Sequence, residues 1–329
     1  MTSTAVWSST IRSLDDQLDA LIEKEVRGIQ LPLALTRFAE AFGTSRPTQA
    51  IRAATDELLV KYAGAFPDSA SLPIKVEELC RISKVDLAGI RPAARSSTAY
   101  SSDDHTRRLG HTGKTYFAGP RASIRIPPHV DHATARISVA HELGHVLVHL
   151  RGNGFDEATV RLPSSPDEEC IAEYGARLLL MPLKVWLKMP TGRNLAEEAV
   201  IRSSIARVTI HSAVARLGDP DLGNTGIKGA ILWRLNPEVP SHSPVHERLT
   251  PQWHLCGGAF VPIKRSKARA GSLVATAAER STVAADTRVE DVRVGTFMGV
   301  FAVDVLAWGS VADGTRLVLA IFRQADPSR

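Results

Sequence analysis

The stretch ARISVAHELGHVLVHL, residues 135–150, is almost wholly apolar, yet it carries His141, Glu142 and His145 on adjacent turns. Apolar residues at 137, 139, 140, 143, 146, 147 and 148 would cover every side of a helix, so the spacing predicts a buried one over about 134–150. Buried imidazoles and carboxylates need partners. His141 and His145, four residues apart, share one helix face one turn apart. That separation suits two nitrogen ligands on one Zn²⁺. Glu142 is rotated off that face, where it can reach an attacking water as a general base.

A catalytic zinc site takes a third protein ligand and keeps one position open. His149 lies one further turn along, but each four-residue step drifts the ring about 40° around the helix. Better candidates follow in SSPDEECIAEYGARLLLMP, residues 164–182. Ser165 and Glu168 form a capping box, and Pro166 suits the first helical position, so Glu168 has a structural task. Glu169 shares a face with Ala172, Glu173, Ala176 and Leu180. The small Ala172 and Ala176 would let this helix lie close against the first and aim Glu169 at the metal. Glu173 remains the alternative from spacing alone.

These two segments together resemble the ImmA/IrrE family of bacterial metallopeptidases. In that family an HExxH helix is followed by E-x-x-A-x-x-x-A and a Leu-Leu-Met-Pro ending, matched here by Glu169, Ala172, Ala176 and Leu179–Pro182. The resemblance spans roughly residues 72–217. It implies a zincin-like peptidase core, Zn²⁺ as cofactor, and Glu169 over Glu173 as the third ligand beside His141 and His145. It also implies a protein substrate, a helix-turn-helix repressor, in stress or mobile-element regulation. Two positions depart from the family pattern: Glu173 stands where Asn is common, and Gly175 where Phe is common. Tyr174, His149 and His111 are the candidate oxyanion donors.

Around this centre the pattern organises an α+β chain. Residues 1–70 read as a helical N-terminal extension, 71–190 as the peptidase core, 191–222 as a helical connector with helix-turn-helix character, and 225–329 as a mainly β domain with a sensor or interaction role. KTYFAGPRASIRIPP, residues 114–128, reads as strand, turn and strand. KGAILWRL, HLCGGAFVPI, GSLVATAA, GTFMGVFAVDVLAW and TRLVLAIFR read as β runs. The competing reading is a DNA-associated regulator or ligand sensor with a structural or idle metal site. IARVTIHSAVARLGD, residues 205–219, is its candidate recognition element.

The chain has 329 residues, 44% apolar and 23% charged, enough for a sizeable core. A net charge of +5 over this length is weak support for nucleic-acid binding. The three cysteines, Cys80, Cys170 and Cys256, are odd in number and far apart, which excludes a disulfide framework and a CxxC zinc knuckle. Neither a signal peptide nor a membrane-spanning run is present in the sequence, so a cytoplasmic location is expected. GHTGKT, residues 110–115, is not a phosphate loop: Arg108 occupies the required first glycine, and an extended stretch follows instead of a helix.

Overall fold

A computed structural model describes residues 14–67, 72–88, 113–118, 121–127, 130–152, 165–223, 225–236, 238–240, 242–256, 268–280, 282–294, 297–312 and 314–325. Among these residues the chain forms eleven α-helices and two β-sheets, an α+β arrangement. None of the described helices is long and apolar enough to cross a membrane.

Three helices open the chain: α1 (Leu14–Arg27), α2 (Leu33–Ala41) and α3 (Pro47–Ala65). Pro47 starts α3, and the preceding Arg46 makes no side-chain cap. The Thr48 N–H and hydroxyl instead donate to the Glu25 carboxylate on α1, at 2.8 and 2.6 Å. Next come α4 (Val76–Ile82) and β1 (Val85–Ala88), then β2 (Lys114–Ala118) and β3 (Arg121–Arg125). These strands make a small sheet in the order β1-β3-β2, with β1 parallel and β2 antiparallel to β3.

The helix read from the opening sequence is α5 (His132–Gly152). Asp131 caps it, accepting from the Ala133 and Thr134 N–H groups at 3.0 Å each. It is buried on all sides: one face packs with Ile124, Ile126 and Leu79, while Val148 joins Leu21, Phe38 and Ile51 of the N-terminal helices. Beside it runs α6 (Pro166–Leu180), begun by the expected capping box. Then α7 (Leu183–Trp186), α8 (Leu195–Ala206) and α9 (Ile210–Gly218) follow. Arg207 ends α8 in the left-handed region at φ 51°, and its carbonyl accepts from Arg136 Nε on α5 at 3.1 Å. Residues 210–217 of α9 are buried throughout.

After a 3-10 turn at Pro220–Leu222, the chain builds a five-stranded antiparallel sheet. Its strands are β4 (Ile227–Leu235), β5 (Leu249–Cys256), β6 (Ala284–Val294), β7 (Phe297–Trp308) and β8 (Leu317–Gln324), in the order β5-β4-β8-β7-β6. The short α10 (Val245–Arg248) precedes β5. Side-chain alternation along β4 sends Ala230 and Leu232 into the core shared with α8 and α9, and Ile231 and Trp233 into a second core. Both faces are covered there, which explains why β4 reads as a continuous apolar run.

GSLVATAA departs from the expected β run. It is the helix α11 (Leu273–Glu279), with Ser272 capping its start. Its alanines favour a helix, the Ser272 oxygen satisfies the Ala275 N–H, and Leu273, Val274, Ala277 and Ala278 bury one face on the sheet.

Candidate metal centre

Two helices build the site because their backbones touch. A Cβ placed on Gly144 would lie 2.7 Å from both Cα and O of Ala172. Such an approach is open only to glycine, and it brings the middle of α6 alongside the middle of α5. One turn further along α6, a Cβ on Gly175 would lie 2.9 Å from Ile51 Cγ1. Ile51 of α3 thus occupies the space where a larger side chain would stand.

On this scaffold His141 Nε2 and His145 Nε2 face each other at 3.1 Å. Glu169 completes the group, with Oε2 3.1 Å from His141 Nε2 and Oε1 3.5 Å from His145 Nε2. Among the described residues these three form the group whose ligand atoms lie within 4.8 Å of one another. Four donors at about 2.0–2.1 Å around a tetrahedral zinc are separated by roughly 3.3 Å, which the 3.1–3.5 Å spacings match. Two imidazoles and a carboxylate are also the donor chemistry that zinc accepts. The His141 side chain is 1% exposed, while Glu169 is 35% exposed, so the group is buried on the α5 side and open on the other.

Burial alone would lower the basicity of His141. Hydrogen bonds to Glu169 and Glu173, with their charges, outweigh it and raise the imidazole to about 9. The two carboxylates favour positive charge at this point, and a metal cation can supply it in place of the proton.

Glu142 stands beside the ligand face as its position on the helix requires, and it is buried. Thr115 on β2 donates its hydroxyl to Glu142 Oε2 at 2.6 Å. Gly113 leaves room for the carboxylate: a Cβ there would lie 2.8 Å from Glu142 Cγ and 3.1 Å from Oε1. Neither residue was anticipated as part of the site. The signal was a polar residue on the inward face of a short strand, since Thr115 is buried between exposed Lys114 and Tyr116.

The remaining sequence candidates fall elsewhere. Glu168 forms the capping box with Ser165. Glu173 lies behind His141, with Oε2 3.3 Å from its Nδ1, and is not among the three converging donors. His149 packs edge-on against Phe117, with ring centroids 5.3 Å apart. The Tyr174 hydroxyl accepts from Arg52 Nε at 2.6 Å, and its ring sits among α1–α3. Burial, with the Asp219 and Asp221 charges, raises this phenol far above its ordinary range. His111 lies outside the described residues. In the connector, Arg202 pairs with Glu198 at 2.7 Å and Arg216 pairs with Asp219 at 3.0 Å.

Comparison with known proteins agrees with the local chemistry. Residues 93–209 match the family model described as the IrrE N-terminal-like domain, Peptidase_M78, a metal-dependent peptidase family. This segment contains α5 and α6, the two helices that carry the resemblance to the ImmA/IrrE family. A solved structure of a Mycobacterium tuberculosis transcriptional regulator is similar over 83% of this chain and 81% of that one, at 13% identity and a TM-score of 0.37. No curated protein matches the chain.

Proposed function

We propose that the chain is a zinc-dependent endopeptidase with a zincin-like core, acting in the cytoplasm on a helix-turn-helix transcriptional repressor in stress or mobile-element regulation. The observation that carries the peptidase reading is the convergence of His141, His145 and Glu169 beside a fixed carboxylate, Glu142. The repressor substrate rests on the family resemblance.

His141, His145 and Glu169 would hold the ion. Bound there, zinc supplies Lewis acidity to a carbonyl oxygen and makes water acidic near neutral pH. Glu142 takes the proton of the attacking water and returns it to the departing amine nitrogen. Thr115 holds one Glu142 oxygen and leaves the other for that exchange. β2 is the outer strand of its sheet among the described residues, and an extended peptide can add there beside Glu142.

Glu142→Gln tests this reading. The variant should retain zinc and lose cleavage of a panel of purified helix-turn-helix repressors, followed by intact mass. A variant that cuts as the wild type does would leave the metal with a structural role.

A further inference from the structure

Behind the ligand face, six ionisable side chains form one buried row. His141 Nδ1 lies 3.3 Å from Glu173 Oε2. The other oxygen, Glu173 Oε1, lies 3.8 Å from the Arg177 guanidinium one turn along α6. Arg177 is committed elsewhere: Nε and Nη2 donate to the Asp219 carboxylate at 3.1 and 2.7 Å. Asp219 also accepts from Arg216 Nη1 at 3.0 Å, and Arg216 Nη2 donates to Asp221 at 2.9 Å. All six side chains are at most 5% exposed.

Such a row is costly to bury, and apolar side chains of similar volume would serve stability as well or better. Its charge distribution is uneven. Arg216 is shared by Asp219 and Asp221, and Arg177 is held in a forked pair with Asp219, approaching Glu173 only to 3.8 Å. That leaves Glu173 turned to His141 and not drawn into a forked pair with Arg177. A carboxylate on Nδ1 keeps the proton on that nitrogen and points the Nε2 lone pair at the metal position.

We propose that Asp219, in the turn after α9, is a positioning residue for the metal centre: by engaging Arg177 it keeps the Glu173 carboxylate on the His141 imidazole. With the Asp219 charge removed, Arg177 turns to Glu173 at its i,i+4 position, the carboxylate leaves Nδ1, and His141 loses its fixed orientation. The inference rests on the zinc site proposed above. It adds that the affinity of this site is set from the connector, 42 residues beyond Arg177 in sequence.

The test is the zinc affinity of the full-length protein, measured by competition with a chromophoric chelator, with thermal melting of each metal-free variant alongside. Asp219→Asn should weaken zinc binding by about tenfold or more, the range for outer partners of metal ligands. Asp221→Asn removes a carboxylate at the far end of the row, and should lower the melting temperature while leaving zinc affinity unchanged. In a Glu173→Gln background, Asp219→Asn should cause no further loss, because the two act through one contact. A folded Asp219→Asn protein that binds zinc as tightly as wild type would overturn the proposal, and so would independent, additive losses. If Asp219→Asn does not fold, Glu173→Gln decides: unchanged zinc affinity overturns the proposal. A wild type that binds no zinc would instead overturn the proposed metal site itself.

Discussion

The Thr115 hydroxyl donates to Glu142 Oε2 at 2.6 Å, tying the outer strand of the small sheet to the middle of α5 across 27 positions of sequence. A general base works only when its carboxylate is aimed at the water, and misplacement by about 1 Å can cost roughly a hundredfold. Thr115→Val should therefore lower kcat by about 10–100-fold with little change in KM or zinc content. Thr115→Ser, which keeps the hydroxyl, should restore most of the rate. Steady-state cleavage of a repressor substrate reads both, and an unchanged kcat in Thr115→Val would remove Thr115 from the catalytic arrangement.

The contact between Gly144 and Ala172 carries the second expectation. Alanine gains up to about 1 kcal/mol over glycine inside a helix from propensity alone. Here its Cβ would meet backbone atoms at 2.7 Å, which no rotamer change can relieve. Gly144→Ala should thus destabilise the fold by about 1–3 kcal/mol. It should also push Glu169 away from the two histidines, so zinc binding should weaken together with the melting temperature. A more stable variant would show that the two helices can separate without cost.

How much of this was legible in the sequence follows from the range of each interaction. His141, Glu142 and His145 are related by the helix period alone, and α5 places them as that period requires. The capping box at Ser165 and Glu168 is equally local. The approach of Glu169 was readable because Ala172 and Ala176 announce a close helix contact, although its other half, Gly144, lies inside the motif and went unremarked. Thr115 and Asp219 could not be assigned, because they reach the site through the register of a strand and the end of a distant helix. The β run expected at GSLVATAA failed for the opposite reason: its local signals, Ser272 and three alanines, favour a helix over the apolar content that suggested a strand.

Acid should weaken the buried row. Burial tends to raise the Asp221 carboxyl, but the hydrogen bonds and charge of Arg216 outweigh it and hold the group below its ordinary 3.8. Its folded pKa lies below its unfolded one, so its stabilisation is complete above about pH 3.8 and is lost as pH falls through the lower folded value. Asp221→Asn should cost about 1–3 kcal/mol at pH 7, and the gap from wild type should close below pH 4. Urea midpoints of both proteins between pH 7 and 3 measure this; a gap independent of pH would contradict it.

Cys80 is buried in α4, and burial, assisted by the Glu77 charge, pushes its thiol up to about 12. Almost no thiolate is present at pH 8, so iodoacetamide should leave Cys80 unmodified in the folded protein and label it fully in denaturant. Peptide mass spectrometry resolves this site from the other cysteines. Rapid labelling under native conditions would mean that α4 opens readily.

The central claim is that His141, His145 and Glu169 hold one zinc ion, and the most direct measurement is the metal content of purified wild-type protein beside His141→Ala and Glu169→Ala. The wild-type chain should carry about one zinc, and both variants should lose most of it. Full occupancy in Glu169→Ala would contradict the three-ligand assignment, and a wild type without metal even after zinc is added back would contradict the peptidase reading as a whole.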